Sequence, residues 1–98
     1  MATLRSMKIR YSRRAIKDID DIREYISRDN PGSAWVVAWF VRDSINVLEE
    51  WPYQGRATER KNVRRLVVTN YPYVVYYMVR SNDVLILHVR HSSRRGWV

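Results

Sequence analysis

The sequence predicts an α+β domain: an N-terminal strand, an α-hairpin, then a three-stranded antiparallel meander, with the helices packed on one face of the sheet. Three observations predict it. Two stretches before Trp51 carry apolar residues at helical spacing, three stretches after Asn62 are rich in β-branched and aromatic residues, and the connections between them are short. A chain of 98 residues has room for a single core, and a hydrophobic fraction of 46% with 12% aromatics is enough to fill one. Residues 1–6 read as an irregular leader and 7–98 as one domain, with Met1 and Met7 both open as the natural start.

Lys8-Ile9-Arg10-Tyr11 alternates polar and apolar residues and reads as a strand. Ser12 stands where a helix N-cap belongs, its hydroxyl able to accept from a free backbone N–H. Behind it Ala15, Ile16, Ile19, Ile22 and Ile26 form an apolar stripe, with Asp18, Asp20, Asp21 and Glu24 expected on the opposite side. Asp29-Asn30-Pro31-Gly32 ends that helix. Ser33 is placed to cap a second helix running to Glu50, whose Val37, Ala38, Val41, Ile45 and Leu48 fall within about 60° of one direction. Pro52 stops it, and residues 51–56 read as a loop. Val63 to Thr69, Tyr73 to Val79 and Val84 to Arg90 read as strands. Tyr71-Pro72 and Arg80-Ser81-Asn82-Asp83 supply the turns between them.

The net charge is +8, and it is unevenly spread. Up to Gly55, nine Lys/Arg face eight Asp/Glu; from Arg56 onward, nine face only Glu59 and Asp83. A half that basic suits an anionic partner, either nucleic acid or an acidic protein segment. A solvated surface is the plain alternative. Absence of cysteine excludes disulfides and thiolate metal sites and fits a cytoplasmic protein. No apolar run reaches the roughly 18 residues of a membrane span, so no membrane partner is expected.

Several segments together resemble one family. Asn30-Pro31 opening the second helix, Ile45 and Leu48 near its end, and Pro52-x-x-Gly55-Arg56 after it are similar to the ParE pattern. So are Arg64-Arg65-Leu66-Val67-Val68, Tyr71-Pro72-Tyr73-Val74-Val75-Tyr76-Tyr77, and the ending Val84 to Arg94 with its H-x-x-R signature at His91 and Arg94. The match runs from Lys8 to Trp97 without a gap. The chain therefore resembles the RelE/ParE toxin superfamily of type II toxin–antitoxin systems, closest to its ParE branch.

That resemblance implies a RelE/ParE-like fold and a toxin neutralised by a cognate antitoxin in a hetero-oligomer. It also implies that operator DNA is bound only through the antitoxin, and that no cofactor is needed. ParE-like members poison DNA gyrase, the activity expected here; RelE-like members cleave mRNA in the ribosomal A site, the alternative. On the RelE pattern Arg65 and Arg94 match basic positions of the cleavage site. The arginine expected after Tyr73 is Val74 here, and the C-terminal tyrosine is missing, with Trp97 nearby. An apolar side chain cannot stabilise a phosphorane, and an indole is a poor proton shuttle. No catalytic set is therefore assigned; a ribonuclease would use Arg65, His91 and Arg94. His91 has a second reading, as a hydrogen-bonding partner of the terminal turn. His88 and His91, three apart on a strand, point to opposite faces and cannot share a metal.

Arg56, Arg65, Arg94 and Arg95 are the expected target-binding patch. The tyrosines of the meander read chiefly as core. On the second helix Trp35, Val36, Trp39, Phe40 and Val47 point away from the core stripe, between about 100° and 240° on the helical wheel. ParE-like sequences carry polar residues at the first four positions. Trp35, Val36, Trp39 and Phe40 are therefore the expected interface with the antitoxin or a second copy of the toxin, unless the first helix and Trp51 cover them.

Overall fold

The computed structural model describes residues 6–93. Lys8–Tyr11 forms β1, Arg13–Ser27 α1 and Pro31–Asn46 α2, which tightens into a 3-10 turn at Val47–Glu49. Arg56–Ala57, Arg64–Val67, Tyr73–Val79 and Asp83–His91 follow as β2 to β5. The sheet order is β1-β5-β4-β3-β2, with β1 parallel to β5 and every other pair antiparallel. The predicted α+β layering is what the chain adopts: two helices on one face of the sheet.

Local chemistry explains most of the boundaries. The Ser12 hydroxyl accepts from the Ala15 amide at 3.0 Å, as an N-cap should. The second helix starts earlier than Ser33. Asn30 caps it by accepting from the Ser33 amide at 3.1 Å, and Pro31 fits the first turn because its missing N–H would have no partner there. β2 starts inside the stretch whose sequence reads as loop; two residues paired with Arg64 and Arg65 are too few to show a strand period. Asn70 takes a φ of 68° in the turn between β3 and β4, a left-handed conformation that asparagine tolerates.

The main core lies between helices and sheet. Ala15 and Ile19 of α1 and Val37, Val41 and Ile45 of α2 pack with Leu48 on Leu66, Val75, Tyr77, Val84, Ile86 and Val89. Ile86 and Val89 share that face despite their odd spacing. The register explains it: Tyr77 pairs with Ile86 but Tyr76 with His88, so Leu87 is an extra residue, a β-bulge that reverses the parity of β5. Tyr77 also fastens the loop before β2. Its hydroxyl donates to the Pro52 carbonyl and accepts from the Gly55 amide, both at 2.8 Å. A Cβ at Gly55 would lie 2.7 Å from that hydroxyl, so only glycine fits. Burial pushes the Tyr77 phenol up, and the Gly55 amide and Arg64 pull partly against it.

Candidate functional site

The opposite face of the sheet is differently made. Directly paired residues share a face, so Arg56 with Arg65, Arg65 with Tyr76, and Tyr76 with His88 form one row across β2, β3, β4 and β5. A second row joins Val67, Val74 and Arg90. Beneath them lies only a small apolar cluster of Val63, Val74 and Tyr76, flanked by Met78 and Leu87. Arg64 turns to the helix side, where it donates to the Gly55 carbonyl at 2.8 Å and stacks over Tyr53. Of the expected basic patch, Arg56 and Arg65 are cross-strand neighbours, while Arg94 and Arg95 lie outside the described residues.

The two histidines occupy different worlds. His88 is buried and stacks on Tyr76, with ring centroids 6.0 Å apart. Its Nδ1 lies 2.6 Å from the Asp18 carboxylate and its Nε2 3.4 Å from the Arg14 guanidinium. A carboxylate on one side and a donor on the other place the proton of the neutral ring on Nδ1. His91 is exposed on the helix side, edge-on to Tyr73. Its Nδ1 accepts from the Ser93 amide at 3.1 Å and lies 2.7 Å from the Ser93 hydroxyl, so its proton belongs on Nε2. His91 thus holds the terminal turn. Arg65 and His91 stand on opposite faces, with the sheet between them.

Asp18 and Arg14 join the site although no motif near them in sequence marks them for it. Past Tyr11 the partner strand ends, leaving β5 with an open edge from Leu87 onward. α1 covers it with polar groups: the Ser12 hydroxyl donates to the Leu87 carbonyl at 3.0 Å, and Asp18 accepts from the Val89 amide at 2.9 Å. Asp18 therefore faces the sheet edge, not the solvent side shared by Asp20 and Asp21. A wheel carries the signal: Asp18 lies about 60° from Ala15, closer to the stripe than Ile16 at about 100°. Ile16 is indeed exposed.

Between α1 and the end of β5 runs a groove of about 660 Å³. Arg14, Asp18, Tyr25, Tyr73, His88 and Arg90 are among its walls. Burial, then the neighbouring Tyr25, push the Tyr73 phenol up, so it stays a neutral donor. No cluster of metal-binding side chains occurs among the described residues.

On the far side of α2, Trp35, Val36 and Trp39 are 67%, 47% and 58% exposed. Trp51 is exposed in its own right and does not cover them. From α1 the Arg23 guanidinium sits 5.1 Å from the centre of the Trp35 ring. Phe40 differs from these three: it is half-buried, 5.0 Å from Trp39 and 5.2 Å from Tyr71.

Comparison with known proteins fits this geometry. The family of ParE toxins of the type II toxin–antitoxin system parDE matches residues 9–96. The chain is 35% identical over 88 residues to protein Y4kP of Sinorhizobium fredii, covering 90% of this chain and 91% of that one. It is 36% identical over 81 residues to Toxin RelE2 of Caulobacter vibrioides, covering 83% and 90%. Among solved structures, the chromosomal ParDE toxin–antitoxin system of P. aeruginosa superposes with a TM-score of 0.81 at 22% identity, over 89% of this chain and 97% of that one. The toxin–antitoxin complex RelBE2 of Mycobacterium tuberculosis gives 0.63 at 17% identity, over 96% and 100%. The chain belongs to the ParE toxin family, within the ParE/RelE group of type II toxin–antitoxin toxins.

Proposed function

We propose that this toxin acts without catalysis, by binding a large target, DNA gyrase, and that a cognate antitoxin holds it silent. The supporting observation is the state of the cleavage positions. Val74 is a buried valine where the RelE pattern implies an arginine, and Arg65 and His91 face opposite sides of the sheet. Transfer of a 2′-hydroxyl proton with neutralisation of phosphorane charge needs acid, base and cations around one phosphate. The open face instead offers Arg56 and Arg65 beside an apolar cluster, a surface suited to adhesion. The antitoxin reading is supported by the apolar face of α2. Trp35, Val36 and Trp39 form the kind of exposed patch that marks a protein interface. Two superposing structures are themselves toxin–antitoxin systems.

One observation favours the alternative, a ribosome-dependent mRNA endoribonuclease: Arg65 and His88 flank Tyr76 on a single face. Two assays separate the readings. Inhibited supercoiling by gyrase with intact mRNA in a translation reaction is expected. Cut mRNA with unaffected supercoiling would reject the gyrase reading. For the antitoxin face, Trp39→Glu is expected to weaken antitoxin binding; unchanged affinity would remove that surface from the interface.

A further inference from the structure

Arg90 has no counterpart in the function above. It is 5% exposed, and its Nε and both Nη atoms are buried without a hydrogen-bond partner among the described residues. Arginine cannot shed its charge, and five N–H donors left unmet in a low-dielectric site are among the least favourable arrangements a protein can hold. A proton shift cannot relieve it. An arriving anion can.

The groove narrows the class of anion. Arg90 is among its lining residues, with Arg14 and Arg28 but also Asp18, Asp21 and Glu24. Asp18 is already engaged by His88 and the Val89 amide. Three carboxylates around one opening repel a chain of phosphates, whereas they tolerate a single carboxylate on an otherwise neutral or mixed-charge segment. Ile22, Tyr25, Tyr73 and Val89 line the same space and give apolar purchase to neighbouring side chains. The occupant that fits is a peptide with one well-placed Asp or Glu.

We propose that the groove between α1 and the end of β5 receives a segment of the antitoxin, with an Asp or Glu side chain pairing with the Arg90 guanidinium. This rests on the antitoxin reading above. A planar guanidinium presents a fork of donors matching the two carboxylate oxygens, so the pair gains geometry as well as charge. The guest must part the side chains that close over Arg90, so a segment lacking the carboxylate finds a buried unpaired cation and is rejected.

The test compares wild type with Arg90→Met and Arg90→Lys. Arg90→Met removes the charge but keeps much of the volume. The free variant is expected to melt at or above the wild-type temperature, since a buried unpaired charge has been removed. A lower melting temperature for free Arg90→Met would show the charge to be paired in the free chain and would overturn the proposal. The capped peptide acetyl-Ala-Glu-Ala-amide, which carries a single carboxylate, at about 10 mM is expected to raise the wild-type melting temperature by about 2–4 °C and to leave Arg90→Met unmoved. A short oligothymidylate at the same concentration is expected to give no Arg90-dependent shift. A shift with the oligonucleotide alone would assign the groove to nucleic acid, and a shift with neither probe would assign Arg90 to the free fold; both overturn the proposal.

The protein encoded beside this chain supplies the second arm. Its affinity is expected to fall about 30-fold or more for Arg90→Met, with Arg90→Lys in between. Equal affinity for wild type and Arg90→Met would remove Arg90 from the interface while leaving the antitoxin reading intact. Failure of the wild type to bind that protein would sink the antitoxin reading instead, and the single-carboxylate peptide would still decide whether Arg90 accepts a carboxylate.

Discussion

The two faces of β4 are made by alternate residues of one strand, yet they obey different rules. Tyr73, Val75 and Tyr77 point into a continuous dry core beneath the helices. Val74 and Tyr76 point into a cluster of three buried residues ringed by Arg65, His88 and Arg90. The first face holds far more apolar area than the second, so it supplies most of the stability. The second is free to carry charge. A small toxin can thus mount a cationic surface only because the reverse of the same strand is so well filled.

The largest effect expected from breaking this contrast is at Ile86. Ile86→Ala, fully buried on the helix side, is expected to cost about 2–5 kcal/mol in chemical denaturation, because the cavity adds to the lost transfer energy. A cost below about 1 kcal/mol would mean that the two faces share the load evenly. Asp18 stands at the boundary. Asp18→Ala leaves the Val89 amide and the His88 ring without their acceptor, an expected loss of about 1–3 kcal/mol. Hydrogen exchange at Val89 should speed up before exchange in β4 does; parallel acceleration would show that Asp18 supports the whole sheet.

On the open face, Arg65→Ala is expected to change stability by no more than about 0.5 kcal/mol while abolishing or sharply weakening target inhibition in the supercoiling assay. Full inhibition by that variant would take the basic row out of the target surface. The smallest effect lies outside both faces, in the turn before β5. The hydrogen bond from Arg80 at 2.6 Å, aided by Arg10, holds the Asp83 carboxyl below the usual carboxylate range. Its contribution is therefore complete above the unfolded carboxyl value and fades as pH falls through the lower folded value. Asp83→Asn should flatten a slight acid-side decline in melting temperature; an unchanged profile would assign the decline to other carboxylates.

The layering, both helices and the order of the long strands were legible because each rests on a period or a cap within a few residues. The cap at Ser12 and the stripe from Ala15 to Ile26 are of this kind. β2 and the bulge at Leu87 were not, since a two-residue strand has no period and a bulge shows only against its partner. For the site, the opposition of Arg64 to Arg65 and of His88 to His91 follows from strand parity alone. What joins His88 to Asp18 does not. The two are seventy residues apart, and their meeting depends on where β1 stops covering β5. Arg90 is only one of nine cations in the basic half of the sequence, which shows charge and conceals depth.

The parallel pairing of β1 with β5 has a consequence for synthesis. Lys8 to Tyr11 can find their ladder only in Asp83 to Ile86, which follow them in the chain by about seventy residues. The first strand therefore waits, unpaired, until its distant partner has been made, and long-range closure of this sort is slow.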